Sequence, residues 1–196
     1  MTIRNLHRSR KLRKDYIMKK NIIAVLLVIA LSTAAAFAAT NPPASSFDVQ
    51  TSVSGINKMK ITAAAFSGTT PSSFDSATAY AGPLGVTASG AQTFSAYLST
   101  MSNNRVGYKV TMGATAMSST VSSATAYINY TVGVNSKSLT TAGATVVTPV
   151  EVITVSSLTG LASQSHAISL SVDSVSFDAA VEGSYSGTVT FTYTAN

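Results

Sequence analysis

The strongest constraint on the fold is the regular alternation of side chains in residues 183–196, GSYSGTVTFTYTAN. Tyrosine, glycine, valine and phenylalanine occupy one parity, and serine or threonine occupies the other. Successive side chains of a β-strand point to opposite faces, so this pattern predicts a strand with one apolar and one hydroxyl-bearing face. We expect this strand to turn four side chains inward, those of Tyr185, Val189, Phe191 and Tyr193.

Segments of the same kind recur along the chain and are separated by glycine, proline, serine and asparagine. The predicted strands lie at residues 47–53, 56–62, 92–98, 106–112, 126–134, 146–155 and 168–172. Residues 67–90 are rich in Gly, Pro, Ser and Ala and predict a long surface connection, with a short strand around Val86. No helix is predicted after residue 38. About eight short strands with turns between them indicate an all-β fold, an antiparallel sandwich.

The first 38 residues predict a leader rather than part of the fold. Lys19 and Lys20 precede an apolar run at residues 22–31, and small residues flank Phe37. A positive segment, a short apolar segment and a small-x-small site are typical of a secretory signal peptide, here cleaved between Ala38 and Ala39. The alternative is an uncleaved anchor, for which residues 22–39 are barely long enough. Because Met18 opens a conventional leader, residues 1–17 are interpreted as an upstream extension.

The expected organisation is therefore a removed segment at residues 1–38, a flexible lead at 39–46 and one sandwich domain at 47–196. Residues 1–38 contain eight of the 13 Lys and Arg residues and one of the seven acids. The remainder has five basic and six acidic groups, a formal charge of −1 that offers no basic patch for nucleic acid. The chain contains no cysteine, so its stability must come from packing and strand pairing.

The residues of the predicted domain offer little for catalysis. His166 is its single histidine, and it is interpreted as a surface residue beside a strand. The spacing of Glu151 and Glu182 allows a glycosidase pair, but no other feature supports one, and Asp173 and Asp178 lack the pattern of a calcium loop. We therefore expect no enzyme activity, no metal and no cofactor.

The beginning of the predicted domain has the pattern that donor-strand exchange requires. A proline-containing lead at residues 39–46 precedes four alternating residues, Phe47, Val49, Thr51 and Val53. In that arrangement one subunit's sheet lacks a strand, and the N-terminal segment of a neighbour completes it. The C-terminal strand would then border the groove and would have to stay regular to its end.

Residues 106–196 resemble the bacterial pilins of the alternate chaperone–usher class, the coli-surface-antigen type, or a related fimbrial structural protein. The stretches that carry the resemblance are GSYSGTVTFTYTAN at the end, YTVGVNSKSLTTAG at 130–143 and SHAISLSVD at 165–173. The lack of cysteine suits that class. The resemblance implies an immunoglobulin-like sandwich completed by donor-strand exchange, a periplasmic chaperone, an outer-membrane usher and self-assembly into a cell-surface fibre (fimbrium).

Two alternatives remain open from the sequence. The chain is compatible with a self-contained secreted or surface domain whose N-terminal strand folds into its own sheet. It is also compatible with a carbohydrate-binding module that uses exposed tyrosines, although tryptophan, the usual platform for sugars, is absent. The other interpretation of the tyrosines is that their rings line the core, with each hydroxyl at the rim of the core.

Overall fold

The computed structural model describes residues 45–196 of the chain. The predicted leader, its cleavage site between Ala38 and Ala39, and most of the lead lie outside these residues. The chain divides into two units, Met1–Thr51 and Ser52–Asn196. In the first unit, residues 45–51 have no regular secondary structure and are exposed.

The second unit contains eleven described strands and two short helices. The strands are β1 (Asn57–Thr62), β2 (Gly90–Ala91), β3 (Tyr97–Ser102), β4 (Tyr108–Ala114), β5 (Met117–Val121), β6 (Ala124–Ile128), β7 (Tyr130–Val134), β8 (Lys137–Thr140), β9 (Val150–Val155), β10 (Ala162–Val172) and β11 (Val189–Ala195). The helices are α1 (Pro71–Ser76) and α2 (Ser174–Asp178).

The strands form antiparallel sheets, which confirms the predicted all-β, sandwich-like fold. The larger sheet has the order β1-β3-β10-β7-β8, and β2 also pairs with β10. The long strand β10 joins its two halves, because Ala162–Ala167 pair with β3 and Ile168–Val172 pair with β7. The smaller sheet has the order β11-β4-β9, and β5 and β6 form a separate hairpin.

Alternate residues of the central strands supply the core. In β4, Val110 and Met112 are fully buried between exposed or half-exposed neighbours. In β7, Tyr130 and Val132 are buried in the same alternating way. Phe191 of β11 is half-buried and packs against this cluster. The period-2 pattern therefore identified the inward face of these strands correctly.

The prediction that no helix follows residue 38 is wrong. Helix α1 begins with a capping box, in which the Thr70 side chain accepts from the Ser73 amide and Ser73 reaches back, and Pro71 occupies its first turn. The N-cap of helix α2 is Asp173, whose carboxylate accepts the Ser176 amide at 2.8 Å. Both are one-turn helices, too short to show the 3.6-residue period, and only their caps were present as signals.

Several predicted strand boundaries are also wrong. The serine-rich link before residue 126 contains β5 and the start of β6, joined through Ser122 and Ser123, which both have positive φ (48° and 70°). Positive φ at both turn residues is the geometry of tight hairpins, and a Ser-Ser pair is not its usual signature. The predicted strand at 126–134 is interrupted at Asn129, and β10 begins at Ala162 rather than near residue 168. Residues 47–53 form no strand.

Candidate functional site: an apolar groove beside the last strand

An apolar groove with a volume of about 490 Å³ lies beside β11. Its larger-sheet residues are Ile61 of β1, Tyr130 and Val132 of β7, and Ile168 and Leu170 of β10. These side chains come from three strands of the larger sheet and together form an apolar floor. The site combines residues that lie far apart in the sequence and are brought together by the strand order.

The first wall of the groove is the last part of the chain. Tyr185 to Val189 and Phe191 line it, and Met117 of β5 adds a further apolar side chain. In the part of the chain that the structure describes, β11 pairs with β4 alone, so its second edge has no strand partner. An unpaired strand edge beside an apolar floor is a template for another strand.

The hydrogen bonds of β11 divide its backbone by parity. The Thr115 amide donates to the Thr188 carbonyl at 3.0 Å, and the Asn196 amide donates to the Gly107 carbonyl at 3.1 Å. In a regular antiparallel register these bonded pairs recur every second residue, so Thr190, Thr192 and Thr194 point their backbone groups toward β4. The backbone groups of the odd-numbered residues therefore point toward the unpaired edge. The same residues turn their side chains inward.

The second wall is an irregular segment between α1 and β3. Tyr80, Pro83, Leu84, Val86 and Phe94 contribute its lining side chains. Tyr80 and Phe94 contact each other edge to face, with ring centroids 6.3 Å apart. The sequence predicted a surface connection here, with a short strand around Val86. The segment forms no strand around Val86, and it lines the groove. The alternation of Leu84 and Val86 was the one signal that this segment has an apolar face.

Three of the four predicted groove residues line the groove: Tyr185, Val189 and Phe191. Tyr193 instead stacks on Tyr108, with ring centroids 4.8 Å apart and 19° between the planes. Its hydroxyl lies 2.8 Å from Asn57 Oδ1. Burial raises the pKa of Tyr193, and it raises that of Tyr108 for the same reason. Both rings belong to the core, and neither lines the groove.

The predicted donor residues are highly exposed. The exposed fractions of Phe47, Val49 and Val53 are 87%, 83% and 82%. Thr51 is also exposed, and residues 45–53 make no hydrogen bond within the described part of the chain. The first attachment is at Ser54, whose carbonyl accepts from the Asn103 side chain at 2.9 Å. Residues 45–53 therefore expose three large apolar side chains to solvent.

Three of the remaining candidate residues are engaged in structural contacts, and two are exposed. His166 lies within β10, half-buried, with Nε2 3.2 Å from Gln164 Oε1. Glu151 forms an ion pair with Lys109 at 3.1 Å and accepts the Thr154 hydroxyl; that hydroxyl and Lys109 lower its pKa. The Ser176 amide lowers the pKa of Asp173 at the start of α2. Asp178 and Glu182 are exposed.

Within residues 45–196, no group of three or more His, Asp or Glu side chains is close enough to hold a metal ion. None of the helices found there combines the length and the apolar character needed to cross a membrane.

The tyrosines of the predicted domain are buried or half-buried rather than exposed. Tyr108 and Tyr130 are about 2% exposed, and the Tyr130 hydroxyl donates to the Thr188 carbonyl at 3.4 Å. Tyr185 donates to the Val181 carbonyl at 2.9 Å. Their rings pack in or beside the core while the hydroxyls find partners at its rim, as expected for tyrosine in a sandwich. Four residues have both features, Tyr108, Tyr130, Tyr185 and Tyr193, whereas Tyr80, Tyr97 and Tyr127 are half-buried.

No protein-family model, no curated protein and no solved structure matches this chain.

Proposed function

We propose that this chain is the structural subunit of a bacterial surface fibre, a pilin-like protein assembled by donor-strand complementation. Residues 44–54 of one copy enter the groove of the next copy and pair with the unpaired edge of β11. The observation that carries the proposal is the coexistence of an apolar groove along an open strand edge and an exposed segment with alternating apolar side chains.

The chemistry of the two surfaces is complementary. The groove offers an apolar floor around Val132 and Leu170, and the segment offers Phe47, Val49 and Val53 on one parity. Burying those three side chains is worth roughly 5–9 kcal/mol in total before the costs of ordering and association. The outward backbone groups of Val189 and Phe191 supply a ladder for the entering strand.

The entering strand is proposed to run antiparallel to β11. Antiparallel pairing is slightly more stable per residue than parallel pairing, and the named strand pairs of the sheets are antiparallel. Because the segment leaves its own subunit before β1, each copy donates at one surface and accepts at another. Such heterologous contacts build an open fibre rather than a closed dimer.

The resemblance to pilins of the alternate chaperone–usher class supports the same proposal. It implies export through the periplasm, a chaperone that protects the groove before assembly, and an outer-membrane usher. In this proposal the chain has no catalytic role, and its partners are further copies of itself and the assembly proteins.

The test uses an exported full chain in which Phe47→Asp and Val49→Asp disable donation. A synthetic peptide of residues 44–54 should bind this chain and raise its Tm, because the peptide fills the groove. A peptide with Phe47→Asp should lose most of the effect. A peptide with the apolar residues moved by one position is the matched control, because it keeps the composition and reverses the faces.

A stable monomer would contradict the proposal. If the unmodified chain is a stable monomer at high concentration and loses stability when residues 39–54 are deleted, the segment folds into its own subunit. The chain is then a self-contained sandwich domain.

A further inference from the structure

The groove has a second element that resembles a bound strand in its side-chain pattern. Leu84 and Val86 are half-buried and line the groove, whereas Gly85 and Thr87 between and after them are exposed. From Leu84 to Thr87, alternate side chains are therefore directed at the groove, as in a strand, and Pro83 adds a further lining contact. We call residues 82–89 the groove cover.

The cover is held weakly by its main chain. Within the described residues, its amides and carbonyls make no backbone–backbone hydrogen bond. The Tyr80 amide donates to the Ile61 carbonyl at 2.9 Å, just before the cover begins. At the other end the Gln92 side-chain amide donates to the carbonyls of Ala88 and Gly90, at 2.9 and 2.8 Å. Through these bonds Gln92 holds the C-terminal end of the cover in place, although Gln92 does not itself line the groove.

Glycines with positive φ stand at both ends of the cover. Gly82 has a φ of 78° and Gly90 a φ of 85°, and a Cβ added at either position would meet no atom within 4 Å. Space therefore does not require glycine at these positions, but the backbone conformation favours it. Glycines at both ends of a segment without main-chain hydrogen bonds are suited to act as hinges.

We propose that the cover shields the apolar groove of the uncomplemented subunit and swings away from it when the strand of a second copy enters. This inference rests on the proposed function and adds a regulatory step to it. Leu84 and Val86 occupy part of the apolar surface that the entering side chains require. The cover thus lowers the fraction of subunits that are ready to accept, and it weakens the apparent affinity for the donor by that fraction.

The experiment measures binding of the 44–54 peptide to the donor-disabled full chain, with and without changes in the cover. Leu84→Ser with Val86→Ser removes the apolar attachment and should strengthen binding roughly tenfold, mainly through faster association. Gln92→Glu removes both donated hydrogen bonds without touching the groove lining. It should strengthen binding roughly threefold.

The matched control changes the other parity of the same segment. Gly85→Ala with Thr87→Ala alters two exposed positions, and a Cβ at Gly85 would meet no atom within 4 Å. Binding should equal that of the parent chain.

The outcomes separate the cover from the groove. If the parent binds the peptide and the Leu84/Val86 variant binds it equally or more weakly, the cover is a fixed wall and the inference is wrong. If the Leu84/Val86 double variant fails to fold, the Gln92→Glu variant provides the test. Unchanged peptide binding by the Gln92→Glu variant also contradicts the inference. If neither the parent nor any variant binds the peptide, the proposed function itself fails, and the cover has no donor to exclude.

Discussion

Two segments of this chain have nearly the same side-chain pattern and different structures. Residues 47–53 alternate Phe47, Val49, Thr51 and Val53 with polar residues, as Val189–Ala195 alternate apolar residues with threonine. The second segment forms β11, paired with β4 over seven residues. The first forms no strand, and its apolar side chains are exposed.

The difference shows what a period-2 pattern specifies. It determines which side chains share a face, but a strand also needs a neighbour that satisfies its amides and carbonyls. Strand β11 has that neighbour on one edge and lacks it on the other. The N-terminal segment lacks a pairing partner within the described residues, and in our proposal it finds one on a second copy.

The largest expected effect comes from attaching the missing neighbour to the same chain. Residues 45–54 appended after Asn196 through one inserted glycine, so that Asn196-Gly forms the two-residue turn, would run antiparallel to β11 along its open edge, with Phe47 opposite the inward-facing Tyr193. In a chain lacking residues 39–54 at its start, this addition should raise Tm strongly and give a monomer, because it buries the three apolar side chains internally. Thermal unfolding and size-exclusion chromatography measure both effects. An appended strand that leaves Tm unchanged would contradict the proposed pairing.

The same substitution in the two segments should have unequal effects. Phe191→Asp places a carboxylate against the core and should lower the free energy of unfolding by about 3 kcal/mol or more. Phe47→Asp changes an exposed side chain and should alter it by less than about 0.5 kcal/mol, while abolishing assembly. Urea unfolding of otherwise unchanged chains at low protein concentration gives the first quantity, and filament formation at high concentration gives the second. Equal destabilisation by both substitutions would place Phe47 in the subunit's own core.

Proline can separate the two edges of β11. Thr190→Pro removes an amide that points toward β4 and should destabilise the subunit by about 3 kcal/mol. At Val189 the amide points to the open edge, where proline is tolerated in edge strands. Val189→Pro should therefore cost much less stability but weaken binding of the 44–54 peptide. Chemical denaturation and peptide titration of the two variants test this. If the two variants lose similar stability and bind the peptide equally well, the amides of Thr190 and Val189 do not point to opposite edges of β11.

Much of the fold was predictable because most strands satisfy both conditions: they have an alternating side-chain pattern and a neighbouring strand to pair with. The inward faces around Val110, Val132 and Phe191 follow directly from alternation. The groove was only half predictable. Its β11 wall was visible in the sequence, whereas Leu84 and Val86 lie in a Gly- and Pro-rich stretch with too short an apolar pattern to specify a position. The Ser122–Ser123 hairpin was missed because the residues common at such turns are absent.

The smallest expected effect concerns the strand pair that supports β11. On the outer face of the smaller sheet, Glu151 of β9 pairs with Lys109 of β4, the partner of β11. The Thr154 hydroxyl and Lys109 lower the pKa of Glu151. Its contribution to stability is therefore present above the unfolded-state pKa, which for Glu is about 4.3, and is lost as the pH falls through the lower folded-state value. Glu151→Gln should lower Tm slightly at neutral pH and reduce the further loss of Tm below about pH 4, because the carboxylate that titrates is gone.

Glu182→Gln is the matched control, because it removes no hydrogen bond or ion pair within residues 45–196. This variant should follow the parent's pH profile. The measurement is Tm against pH for donor-disabled chains. A parallel shift at every pH, without a change in slope in acid, would mean that Glu151 acts through its packing or its hydrogen bond to Thr154 rather than through its charge.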